Sequence, residues 1–88
     1  MDVEEECRQL VVELERLGTE QPSGNVGVKF GTLFDDDRCA QIFEALVGTL
    51  RAAKKRKMVD FEGQMLLKGA HDDVMIEVLK SSSEIAAQ

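Results

Sequence analysis

The chain has a single histidine, His71, in the run His71-Asp72-Asp73. An imidazole beside carboxylates is raw material for acid–base chemistry. A catalytic histidine, however, needs a nucleophile or a second acid or base set against it, and no companion motif accompanies this one. The trio follows Lys68-Gly69-Ala70 and reads as a turn closed by Asx-type hydrogen bonds. Cys7 and Cys39 could join His71 as zinc ligands, but the paired spacings of a zinc site are absent. Asp35-Asp36-Asp37 invites a calcium reading. An EF-hand loop counted from Asp35 would need glycine and glutamate where this chain has Ala40 and Leu46, so helix capping is preferred. Gly24, Gly27 and Gly31 match neither a phosphate-binding loop nor a dinucleotide fingerprint. The residues therefore predict no enzyme, no cofactor and no metal.

The remaining chemistry is electrostatic. Arg51, Lys54, Lys55, Arg56 and Lys57 are the densest block of positive charge in the chain. At about 100° per residue, Arg51, Lys54 and Lys55 share one side of a helix, while Arg56 and Lys57 fan around its end. Cations at a helix C-terminus suit the macrodipole, which is reason enough for such a run. The functional reading is a contact patch for an acidic partner, with Lys29 joining it from a nearby strand. Reversing Lys54 and Lys55 to glutamate is then expected to weaken binding without unfolding the domain. The net charge of −6 is segmented: residues 1–24 carry −5, residues 25–57 carry +3 and residues 58–88 carry −4. Acidic ends around a basic middle disfavour nucleic acid as a partner.

These residues need a scaffold, and the chain is long enough for one small domain. Val3, Cys7, Leu10, Val11, Leu14 and Leu17 recur at helical steps. They predict a helix over about 2–17, with acids in its first turn and Gly18 as its cap. Thr19–Asn25 reads as a loop around Pro22, and Val26, Val28 and Phe30 alternate as a short strand. Gly31–Phe34 reads as a helical turn sending Leu33 and Phe34 inward. A long helix from Cys39 to Lys57 follows, its face made by Ala40, Ile42, Phe43, Leu46, Val47, Leu50 and Ala53. Gly48 within it is expected to permit close approach of another element. Segments 58–67 and 74–79 read as an antiparallel hairpin, with Met65, Leu66 and Leu67 as a buried run. Residues 1–80 form the single domain, and 81–88 a flexible polar tail.

This order predicts an α+β, winged-helix-like fold, with three helices and a small three-stranded antiparallel sheet. No signal peptide is expected, because Asp2, Glu4, Glu5 and Glu6 stand where a basic and apolar leader would be. No membrane span is expected. Both cysteines sit on apolar stripes, which suits a reduced cytosol.

Four stretches carry a family resemblance: Arg16-Leu17-Gly18, VKFGTLFDDDRCA at 28–40, IFEALVGTLRAAKKRKMV at 42–59 and LLKGAHDDV at 66–74. Over about residues 3–79 the chain closely resembles the Costars family, which is similar to the C-terminal domain of the actin-binding Rho-activating protein of striated muscle. It departs mildly in the expected hairpin, at Gln64, Met65 and Lys68. The resemblance implies a non-enzymatic cytoskeletal binding module that modulates actin organisation and cell motility, with a link to Rho signalling. Its partner would be actin or an actin-regulating protein. It implies association with the cytoskeleton; a cytoplasmic monomer is expected. The alternatives are a winged-helix nucleic-acid-binding protein and a scaffold that docks another protein. Actin is acidic, so the basic patch supplies a physical route to it.

Overall fold

A computed structural model describes residues 2–86. The first helix, α1, spans Val3–Leu17. Asp2 caps it by accepting the Glu5 N–H, and Glu4, Glu5 and Glu6 lie in the first turn, beside the positive end of the macrodipole. Cys7, Leu10, Val11 and Leu14 are fully buried along its inner face. Gly18 ends the helix in extended rather than left-handed backbone (φ −88°). Its small size serves close approach instead. A Cβ there would lie 2.5 Å from the Val26 side chain and 2.8 Å from the Gly27 carbonyl oxygen.

Four strands build one antiparallel sheet: β1 (Thr19–Glu20), β2 (Val26–Lys29), β3 (Val59–Asp60) and β4 (Met75–Val78), in the order β1-β2-β4-β3. The register sets Gly27 opposite Glu77, Val28 opposite Ile76, Lys29 opposite Met75 and Asp60 opposite Glu77. Between β2 and β3 the chain forms α2 (Phe30–Asp35), α3 (Asp37–Ile42) and α4 (Leu46–Lys55), and a last helix, α5, spans Ser82–Ala86. One core unites α1 and α4 with the inner sheet residues Val28, Val59, Ile76 and Val78. Phe30 and Leu33 of α2 complete it.

The α+β class stands, but among the described residues five helices and four strands replace the expected three and three. The added strand, β1, arises because the loop after Gly18 folds back as a hairpin, with Thr19 opposite Gly27. The expected helix from Cys39 to Lys57 is two helices joined through Phe43–Ala45. Phe43 caps α3 in extended backbone (φ −105°, ψ 120°) and buries its ring. A straight helix over that stretch would be about 28 Å long. The break lets α3 pack beside α2 while α4 lies along α1.

Smaller expectations also change. Phe34 is 43% exposed, its ring tilted over Phe30 rather than inserted in the core. The 58–67 strand shrinks to Val59–Asp60, because Gly63 turns with positive φ and the loop leaves the sheet. Leu66 is buried there, but Met65 and Leu67 are 64% and 52% exposed. The expected polar tail contains α5. Ile85 packs against the core, and the Ser82 N–H donates to Glu15 Oε1 at 3.3 Å. The rest of that expected tail, residues 87–88, lies outside the described residues.

Candidate interaction surface

Helix α4 positions the cations. Its inner residues, Thr49, Leu50 and Ala53, are buried against α1. The Thr49 hydroxyl lies 3.2 Å from Glu6 Oε2 and from the Ala45 carbonyl. Its outer side is thereby turned to solvent. Arg51, Lys54, Lys55 and Arg56 line an open depression of about 510 Å³ with Gly48, Ala52 and Gln64. Gln64, on the loop after β3, closes one rim; the sequence offered no pattern pointing to it, because only folding sets that loop against α4.

The helix ends in a left-handed cap. The Met58 N–H donates to the Ala53 carbonyl at 3.0 Å and the Lys57 N–H to the Lys54 carbonyl at 3.1 Å. Lys57 supplies the positive φ, 61°, where glycine is usual. It thus stands beyond the helix rather than on its face.

The five cations are not equivalent. Lys54 is half-buried: its ammonium donates to the carbonyls of Phe61 (2.5 Å) and Gly63 (2.7 Å) and lies 4.4 Å from the centre of the Phe61 ring. It fastens the loop after β3 to α4, so reversing its charge would disturb the fold as well as the surface. The Arg56 guanidinium donates to the Ala52 carbonyl at 3.2 Å but remains exposed. Arg51, Lys55 and Lys57 are exposed, and none makes a side-chain hydrogen bond or ion pair among the described residues. Lys29 lies elsewhere. It stands on β2, separated from β3 by β4, and pairs with Asp73 at 3.5 Å.

A second polar cluster went unrecognised in the sequence. Glu13 is 3% exposed, and its carboxylate accepts from Arg16 (2.8 Å) and Arg38 (3.1 Å). Arg16 also donates to Asp36 at 2.7 Å, and Asp36 caps α3 by accepting the Cys39 N–H at 3.0 Å. That N–H, and then Arg16, hold the Asp36 carboxyl below its ordinary 3.8. Burial, then the Asp36 hydrogen bond, pushes the Cys39 thiol up to about 12. Glu13, Asp36 and Cys39 have ligand atoms within 4.8 Å of one another. Two guanidinium groups already neutralise the carboxylates and the thiol keeps its proton, so the cluster acts as a tie between α1 and α3. Its one sequence signal was a glutamate between Leu10 and Leu17 on an apolar stripe.

The His71 region is the expected turn. His71 Nδ1 accepts the Leu67 N–H at 2.9 Å, and Asp72 accepts the Gly69 N–H at 2.7 Å. The Lys68 ammonium, and then the Gly69 N–H, hold the Asp72 carboxyl low.

Known proteins share this framework. Residues 2–79 match the family model described as Costars. A Costars family protein of Oryza sativa subsp. indica is 59% identical over 87 residues, covering 99% of this chain and all of the relative. The Costars family protein ABRACL of Mus musculus is 58% identical over 80 residues, covering 91% of this chain and 99% of the relative. The solution structure of human HSPC280 protein superposes with a TM-score of 0.84 at 53% identity, covering 92% of this chain and 95% of that one.

Proposed function

The chain belongs to the Costars family, and from that premise we propose that it is a non-enzymatic binding module acting on actin organisation and cell motility. It does so by contacting actin or an actin-regulating protein in the cytoplasm. The observation that carries this reading is the α4 surface, where Arg51, Lys55 and Arg56 line one depression and remain exposed. Exposed cations gathered on a rigid helix suit an acidic protein surface, and they steer association more than they add affinity. The family's resemblance to the C-terminal domain of the actin-binding Rho-activating protein supports actin, or a protein that regulates it, as the owner of that surface. Among the described residues no helix is long and apolar enough to cross a membrane.

The fold detail fits a winged-helix-like arrangement. Helices α2 to α4 fall between β2 and β3 in the chain, and β4 lies between those strands in the sheet. We read β1 and α5 as additions to that plan.

Co-sedimentation with actin filaments across a salt series tests the proposal. The pelleted fraction is expected to fall as salt screens the contact. It should fall roughly tenfold in affinity for Arg51→Glu/Lys55→Glu, a pair that leaves the Lys54 fastening intact. A folded double variant that pellets like the parent would remove α4 from the interface. Failure of the parent to pellet at low salt excludes direct filament contact. Capture of an actin regulator, lost in the double variant, would then be required.

A further inference from the structure

A second surface, of opposite sign, lies on the sheet. An open groove of about 740 Å³ is lined by residues of β3, β4 and their flanking loops, together with Asn25 just before β2, and none of its lining residues belongs to a helix. Its apolar floor includes Phe61, Met75 and Leu79, the last of them 41% exposed. Asp60, Glu62, Asp73 and Glu77 also line it. The register sets Asp60 directly opposite Glu77, a like-charge pair that costs the sheet stability. Among the described residues Glu77 is met by neutral donors only, the Ser23 hydroxyl at 2.6 Å and the Asn25 amide at 3.3 Å. Lys29 pairs with Asp73, while Asp60 and Glu62 have no ion pair among the described residues.

These carboxylates do not converge as metal ligands do: the one set of three metal-ligating groups within 4.8 Å among the described residues is Glu13, Asp36 and Cys39. Charges spread around an apolar floor suit several cations carried on one chain. We propose that this sheet face docks a lysine- or arginine-rich segment of a protein partner, with an apolar side chain on Met75 and Leu79 and cationic heads on Asp60, Glu62 and Glu77. The groove shares no residue with the α4 depression, so the molecule presents a cationic and an anionic surface to different partners.

The test is a titration of the isotope-labelled full chain with a synthetic peptide of alternating lysine and leucine, followed by backbone amide shifts. A matched peptide of alternating glutamate and leucine is the control. The lysine peptide is expected to shift amides of residues 60–62 and 73–79, and the glutamate peptide is not. Asp60→Asn/Glu62→Gln should weaken the lysine peptide roughly tenfold, while Arg51→Glu/Lys55→Glu leaves it unchanged. Both altered acids are exposed, so the double variant is expected to keep the parent spectrum. Three results would overturn the proposal. The shifts could map instead to Glu4–Glu6 of α1. The folded Asp60→Asn/Glu62→Gln variant could bind like the parent. Raising the protein concentration alone could shift the same amides, which would make a second copy the occupant.

Discussion

Lys54 and Lys55 are adjacent and identical in type, yet the fold gives them different work. Lys54 holds the carbonyls of Phe61 and Gly63 and covers the Phe61 ring, whereas Lys55 faces solvent. Removing Lys54 would leave two carbonyls without their donor and loosen the loop that bears Gln64. We expect Lys54→Ala to destabilise by about 1–3 kcal/mol. Lys55→Ala should stay within about 0.5 kcal/mol of the parent. Urea unfolding compares them, and coincident midpoints would refute the fastening. Helical spacing put both lysines on one side and could not separate them, because their difference depends on where a loop several residues later is laid.

At the scale of the element, α4 carries two local mismatches. Gly48 was expected to admit a neighbouring element, but a Cβ there would meet only Ala45 Cβ, at 3.7 Å. The space it leaves is part of the cationic depression. Lys57 occupies the left-handed cap position that a glycine would fill at lower cost. Gly48→Ala and Lys57→Gly should each stabilise the domain by about 1 kcal/mol, measurable as a rise in Tm. If the α4 surface binds an acidic partner, Lys57→Gly should also weaken that binding, since a stabler helix end has lost an exposed cation. A fall in Tm for Gly48→Ala would show that the helix needs glycine's lack of a side chain there. The division of the long helix at Phe43–Ala45 belongs to this scale too. Phe43, Glu44 and Ala45 include no helix breaker, and Ile42, Phe43, Leu46 and Leu50 satisfy one helical face. The break follows from two partners, α2 and α1, that a straight rod could not reach together.

For the whole molecule, titration should bound stability on both sides. Asp36 and Asp72 have carboxyls held below 3.8 in the fold, by the Cys39 N–H and by Lys68 respectively. Their contribution is present above the unfolded value and is lost as pH falls through the lowered folded value. Cys39, at about 12, and Cys7, raised chiefly by burial, act at the other end. Above 9.0 the unfolded thiols ionise while the buried ones keep their protons, so the unfolded state binds fewer protons and stability declines as pH rises toward 12. We expect Tm to be level from about pH 5 to about pH 8.5 and to fall on either side. Cys39→Ala should flatten the alkaline arm, and an unchanged arm would show that other groups govern it.

Local order was legible from the chain alone. The α1 stripe, its Asp2 end and Gly18 stop, a helix cap from the Asp35-Asp36-Asp37 run, the Asx-type turn at His71-Asp72-Asp73 and the antiparallel pairing of the last two strands all depend on residues close in sequence or on simple alternation. The quoted motifs likewise pointed to the Costars family, and the cation block to an electrostatic surface. Tertiary structure decided what required distant neighbours. Glu13 became a buried anion because Arg38 arrived from α3, and Lys29 fell to Asp73 because β4 lies between β2 and β3. The like-charge pair of Asp60 and Glu77, and the anionic groove around it, exist only once β3 and β4 are in register. Periodicity states which face a side chain occupies; only the closed chain states what that face meets.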